Sequence, residues 1–347
     1  IGLNRLGRCE IAVREVRPYD GLMLANKFRR MRQRLRLSTM ALGLLGWSAT
    51  SSAAEPPESE IILFLGDSIT YQGTYVTVIE AALITQYPDR NYRIINLGLG
   101  SETVSGLSEE GHAGGRFLRP DLHERLDRAL KQAQPDLVIA CYGMNDGIYL
   151  PLADDRFAAY QKGITRLRGK VIAAGARIIH LTPPIFDPLP IPDRVKPHDD
   201  KPAKFFGGYN DVLGAYSDWL MDQSEQHGWT VWDLHGDMNQ ALARERETDP
   251  EFSYSRDGVH PNAAGHVVMA GPVLRHWGLK TTEAGTPVHD QGEDIFNFVQ
   301  QKQRILRNAW LSEIGHNRPG VAEGLPLAEA KAKAAEWDAQ ARALAEK

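Results

Sequence analysis

Ile61-Ile-Leu-Phe-Leu-Gly-Asp-Ser-Ile-Thr70 is the stretch on which the reading of this chain turns. An apolar run this short, rich in isoleucine and leucine, reads as a strand buried on both faces. Gly66-Asp67-Ser68 is the punctuation that turns a strand into a helix. Ser68 then has two meanings. Serine and aspartate commonly cap helices, because their oxygens accept from the free N–H groups of the first turn, and taken alone the stretch favours that role. The other meaning is a nucleophile, which needs partners elsewhere in the chain.

The same alternation continues outward. Tyr92–Leu97, Leu137–Tyr142, Arg177–Leu181 and Thr230–Leu234 read as further short strands, with periodic helical stretches at Thr74–Gln86, Asp121–Gln132, Phe157–Ala174 and Tyr209–His227 between them. Strands and helices in this order predict an α/β fold, a parallel sheet covered on both faces and joined by right-handed crossovers. Ligands of such sheets sit beyond the carboxyl ends of the strands. Thr182–Gly208, with prolines at 183, 184, 188, 190, 192, 197 and 202, enters after the fourth strand and reads as a binding wall or lid. Gln291–Ile314 and Leu327–Glu346 read as two further helices with apolar residues to bury, expected to pack back on the domain. The expected division is an N-terminal segment 1–54, an α/β domain 60–278 and a helical extension 279–347.

The whole chain has 347 residues, 42% apolar and 24% charged, an ordinary globular composition. Its N-terminal part differs. Lys27, Arg29, Arg30, Arg32, Arg34 and Arg36 precede the apolar Met40–Trp47, and small residues follow through Ala54. That order is a bacterial-type secretory signal, cleaved after Ala53 or Ala54, with Met23 or Met31 as starts of usual length; the expected location is secreted or periplasmic. The apolar part is too short to span a bilayer. Of the chain's 40 basic and 44 acidic residues, 10 and 3 fall in residues 1–54, which leaves a balance of −11 in the remainder. So acidic a protein is a poor partner for nucleic acid or anionic membranes. Cys141, in an apolar run, reads as a buried core thiol, and disulfides are not expected to build the fold.

Three further motifs follow the strands or precede a helix. Asn96-Leu-Gly-Leu-Gly-Ser-Glu-Thr103 is too incomplete for a dinucleotide fingerprint, but its glycines let a turn present backbone N–H groups to an oxyanion. Asn145, in Gly143-Met-Asn-Asp146, offers either an amide donor or an Asx turn. Asp257-Gly-Val-His260-Pro places a carboxylate where it can fix one imidazole nitrogen and leave the other free, although such a pair is often structural.

In their order along the chain, Gly66-Asp-Ser-Ile-Thr70, Gly143-Met-Asn-Asp146 and Asp257-Gly-Val-His260-Pro resemble the SGNH hydrolases, the GDSL esterase and lipase family, over about residues 60–277. The resemblance implies a flavodoxin-like three-layer α/β/α fold with a five-stranded parallel sheet, to which the C-terminal helices are an addition. It implies Ser68 as nucleophile, His260 as base, Asp257 as its orienting carboxylate, and the N–H groups of Ser68 and Ser101 with the Asn145 amide as oxyanion donors. The family has glycine at the second donor, so Gly100 and Ser101 compete for that place. No cofactor or metal is implied, and His112, His180 and His198 lack mutual ligand spacing. His112, Arg116 and Tyr149 follow the second and third strands and are candidates to line the pocket. The expected activity is hydrolysis of an acyl ester, O-acetyl on a carbohydrate foremost. A lipase or thioesterase of the same family, and a non-catalytic carbohydrate-binding module on the same fold, are the alternatives.

Overall fold

The computed structural model describes residues 56, 57, 61–196 and 205–347. The N-terminal signal-like segment and part of the proline-rich loop, including His198, lie outside them. Along the chain run β1 (Ile61–Gly66), α1 (Ser68–Gln72), α2 (Thr74–Gln86), β2 (Arg93–Asn96), α3 (Leu122–Ala133), β3 (Leu137–Cys141), α4 (Asp154–Ala173) and β4 (Arg177–Leu181). There follow a two-residue ladder of β5 (Val195–Lys196) with β6 (Phe205–Phe206), then α5 (Tyr209–His227), β7 (Thr230–Trp232), α6 (Leu234–Arg246), α7 (Ala263–His276), α8 (Gly292–Ile314) and α9 (Leu327–Ala345).

The main sheet has the order β2-β1-β3-β4-β7 and every pairing in it is parallel. β3 is buried along its whole length and β1 from its second residue, as continuous apolar strands covered on both faces must be. From β1 the chain crosses one way to β2 and then back past β1 to β3. With right-handed crossovers this reversal puts α2 on one face and α3, α4 and α5 on the other. The packing of α2 and α6 on α7, and the stacking of Tyr160 of α4 on Tyr216 of α5, agree with those two layers. A crevice opens between the carboxyl ends of β1 and β3 where the order reverses, the place where such sheets hold their ligands.

Several helices begin at that edge with an acidic or amide cap. Asp67 accepts from the Ile69 N–H, Asp121 from His123, Asp233 from Gly236 and Asn262 from Gly265, each at 2.9 to 3.0 Å. α6 is an element the sequence reading lacks. The strand expected through Leu234 stops at Trp232 because Asp233 caps a helix instead.

α8 and α9 pack along each other and back onto the sheet's open edge. Gln303 Nε2 donates to the Ile94 carbonyl of β2 at 3.3 Å, and Lys302 pairs with the buried Glu80 of α2 at 2.7 Å and with Asp338 of α9. Ile295, Val299 and Ala341 close over Ala81 and Ile84. An exposed edge strand invites further pairing, and here helices cover it. Among the described residues no helix is long and apolar enough to cross a membrane.

Candidate active site

β1 delivers Ser68 to the carboxyl edge, and the helix that starts there settles which residue caps it. Asp67 takes the cap, so the Ser68 hydroxyl is released from that duty. It lies 2.7 Å from His260 Nε2, although 192 residues separate the two in sequence. His260 Nδ1 in turn lies 2.7 Å from Asp257 Oδ2. A carboxylate only accepts, so Nδ1 carries the proton and Nε2 is free to take one from the serine.

The turn before α7 builds the Asp257–His260 pair. Asp257 Oδ1 accepts from the N–H groups of Val259 and His260 at 3.0 and 2.8 Å and from Ser255 Oγ at 3.0 Å, which holds the carboxylate in place. Gly258 has φ +80°, and a side chain there would collide with the Asp187 carbonyl. Burial opposes ionisation of Asp257, but the His260 side chain and these N–H groups outweigh it and hold its carboxyl far below the usual range. The hydrogen bond to Asp257 raises the His260 pKa above its ordinary value against partial desolvation. Gln72 Nε2, on the helix begun by Ser68, reaches the Pro261 carbonyl at 3.4 Å and ties the two halves of the site together.

Across the crevice, the turn Leu99–Glu102 is closed by the Glu102 N–H on the Leu99 carbonyl at 3.2 Å. Ser101, its third residue, has φ +67°, the positive φ of a type II turn. The left-handed place that glycine favours is therefore held by Ser101 and not Gly100. Leu97 and Leu99 donate to the Phe64 and Gly66 carbonyls, extending the β1 ladder and drawing this turn beside Ser68. Among the described residues, neither the Ser68 nor the Ser101 N–H is spent on another acceptor.

Asn145 is almost wholly buried. Its Oδ1 accepts from Arg119 Nη1 at 2.9 Å and Tyr149 Oη at 3.1 Å, while Nδ2 donates to the Glu102 carbonyl at 3.1 Å. Arg119 has no acceptor atom, so it fixes which end of the amide is oxygen, and one Nδ2 hydrogen remains for a ligand. Tyr149 reaches Asn145 from a left-handed pair, Ile148 and Tyr149, with φ 55° and 56°. Arg119 is itself locked by Glu109 at 2.6 Å. Next to Asn145, Asp146 binds the Val104 and Ser105 N–H groups at 2.9 and 2.8 Å, and burial pushes its pKa up to about 6. Beneath the turn, Glu102 pairs with Arg125 at 2.6 Å and accepts from Tyr142 Oη at 2.6 Å.

The structure thus joins Ser68, His260 and Asp257 in one hydrogen-bonded line and links Asn145 to the Ser101 turn through Glu102. Of the pocket candidates, Tyr149 is buried against Asn145, His112 pairs with Glu109 at 3.0 Å, and Arg116 is exposed. His180 is a core residue whose pKa burial drives down to about 3. Cys141 is free and buried. Among the described residues no group of three or more His, Cys, Asp and Glu could hold a metal. Arg119, Glu109 and Glu102 brace Asn145 and the Ser101 turn, contacts that sequence reasoning missed, since no spacing joins Arg119 to a partner 26 residues away.

Comparison with known proteins gives a family and several relatives. The GDSL-like Lipase/Acylhydrolase family matches residues 64–268. An acetylxylan esterase of Geobacillus stearothermophilus is 22% identical over 239 residues, which cover 64% of this chain and 95% of that protein. Among solved structures, a gut microbial diltiazem-metabolizing enzyme superposes with a TM-score of 0.50 at 22% identity over 66% of this chain; the match spans 49% of that protein, about half its length. An alpha/beta hydrolase enzyme from the metagenome of Lake Arreo, Spain, gives 0.47 at 24% identity over 65% of this chain and 99% of the other.

Proposed function

The chain belongs to the GDSL-like lipase/acylhydrolase family and is an ester hydrolase of the SGNH type, and from that premise we propose that it is an exported serine esterase that removes acetyl groups from a carbohydrate. The observation that carries this reading is the line Ser68–His260–Asp257, with 2.7 Å at both contacts. Ser68 Oγ attacks the acyl carbonyl as its proton passes to His260 Nε2. The tetrahedral intermediate collapses, the bond to the leaving oxygen breaks, and the Nε2 proton goes to that oxygen. Water then attacks the acyl-serine with His260 again as base, which frees acetate and regenerates Ser68. Asp257 keeps the imidazole in the tautomer that both steps need.

The N–H groups of Ser68 and Ser101 and the free Nδ2 hydrogen of Asn145 take the oxyanion. Each such donor contributes about 3 kcal/mol to the transition state when it is fixed beforehand. Fixing is the work of Glu102, Asp146, Arg119 and Tyr149. A sugar ester is favoured by the acetylxylan esterase relative and by the acidity of the chain after residue 54, which disfavours anionic membrane surfaces. Export is supported by the basic, apolar and small-residue order of residues 27–54.

The test is acetate release from acetylated xylan and from p-nitrophenyl esters of rising chain length, with Ser68→Ala in parallel. Turnover greatest for acetate and lost in the variant is expected. A preference for long acyl chains would make the enzyme a lipase or thioesterase, and binding without turnover would make it a carbohydrate-binding module.

A further inference from the structure

Among the described residues, Arg116 and Arg318 stand at the mouth of the site without an acidic partner. Arg318 comes from the segment after α8, in the C-terminal extension, and its Nε lies 3.7 Å from the position that a Cβ on Gly100 would take, one residue before Ser101. Its guanidinium also covers the Phe117 ring at 4.2 Å, and His112 meets that ring edge-on at 5.1 Å. Among the described residues, the guanidinium hydrogen bonds of the two arginines go only to carbonyls: Arg116 Nε donates to Ala113 and Arg318 Nη1 to Pro319. Desolvation, then the charge of Arg116, pulls the Arg318 pKa below its ordinary value, as expected of two cations held close.

Two other cations around this turn are neutralised, Arg119 by Glu109 and Arg125 by Glu102, while Arg307 is spent on the Tyr71 carbonyl and ring. Of the nearby acids, Glu109 and Glu102 are thereby occupied, Asp257 is engaged by His260, and burial pushes Asp67 up to about 7. The excess positive charge at the mouth therefore stands out in a chain in which acids outnumber bases. Guanidinium groups in such a cleft attract oxyanions and bind them in a planar fork.

We propose that Arg116 and Arg318 form an anion subsite beside the Ser101 turn, which selects acylated sugars carrying a carboxylate or a sulfate near the ester. The inference rests on the esterase reading and narrows its substrate from carbohydrate to anionic carbohydrate. It also assigns the C-terminal extension a part in recognition, because Arg318 lies outside the residues matched by the family.

The experiment separates binding from turnover. Ser68→Ala protein is titrated calorimetrically with an unesterified oligogalacturonate, a sulfated oligosaccharide lacking carboxylates, and a neutral xylo-oligosaccharide. The subsite predicts that at least one anionic ligand binds more tightly than the neutral one, with affinity falling as salt rises, and the preferred anion identifies carboxylate or sulfate. Adding Arg116→Gln and Arg318→Gln should weaken that binding by about tenfold. In the active protein, the same pair of changes should lower the ratio of kcat/KM for acetylated oligogalacturonate, or its sulfated counterpart, to that for acetylated xylo-oligosaccharide, mostly through KM. Equal binding of neutral and anionic sugars, or anionic binding indifferent to both substitutions, overturns the proposal. Turnover of p-nitrophenyl acetate by the wild-type protein reports the esterase reading separately, so failure of one is not mistaken for failure of the other.

Discussion

At the scale of single residues, the account turns on which proton each side chain holds. Because Asp257 stabilises protonated His260, the imidazole pKa lies above the ordinary 6.5. Only the neutral ring can accept the Ser68 proton, so kcat/KM should rise with pH along an acid limb whose midpoint lies above 6.5. Asp257→Asn removes the largest raising interaction; the limb should move to lower pH while kcat falls by roughly a thousandfold or more. A pH–rate profile checks both, and an unmoved limb would count against the pairing. Ser101 gives a second prediction. A non-glycine residue at positive φ is strained by about 1 kcal/mol, and the oxyanion role assigned to it uses only its backbone N–H. Ser101→Gly should therefore melt no lower than the parent and keep kcat within about twofold, since glycine retains the donor. A tenfold loss of kcat would mean that the serine hydroxyl takes part. Ser68, Asn145, Asp257 and His260 could be singled out as candidates because motif order supplied what no single motif could, and the structure brings Ser68, His260 and Asp257 into one line at the edge where Asn145 lies. The choice between Gly100 and Ser101 was not legible in the sequence, because it depends on a dihedral angle.

At the scale of elements, strands and helices with an unbroken period were readable to the residue: β4, α2 and α5 begin and end where the pattern places them. α6 was missed because Gly236 and Asn239 interrupt its pattern, while the signal that starts it is the single cap Asp233. How α8 meets α2 was equally hidden, since Lys302 and Glu80 are far apart in sequence and nearly fully buried together. That pair carries a prediction. Lys302→Met leaves Glu80 buried beside an apolar chain and should cost about 3 kcal/mol in urea unfolding. Replacing both, as Lys302→Met with Glu80→Leu, should recover most of that loss, because the penalty lies in the orphaned charge. A double variant as unstable as the single one would show that the ion pair itself drives docking of the extension.

At the scale of the whole molecule, the site is assembled from four regions of one sheet edge and braced from outside the family-matched region. Arg307 of α8 donates to the Tyr71 carbonyl and covers the Tyr71 ring at 4.0 Å, so the extension grips the short helix that Ser68 begins. No periodicity links residues 71 and 307, and the sequence alone could say only that the extension has apolar surface to bury. Everything that the brace, the caps and the buried supports achieve converges on one hydroxyl. The most direct test is therefore to treat the active protein with a fluorophosphonate and locate the adduct by peptide mass spectrometry. A single adduct on Ser68, absent from Ser68→Ala and formed faster as pH rises through the His260 limb, is the predicted result. An enzyme that hydrolyses acetyl esters while Ser68 stays unlabelled would contradict the account.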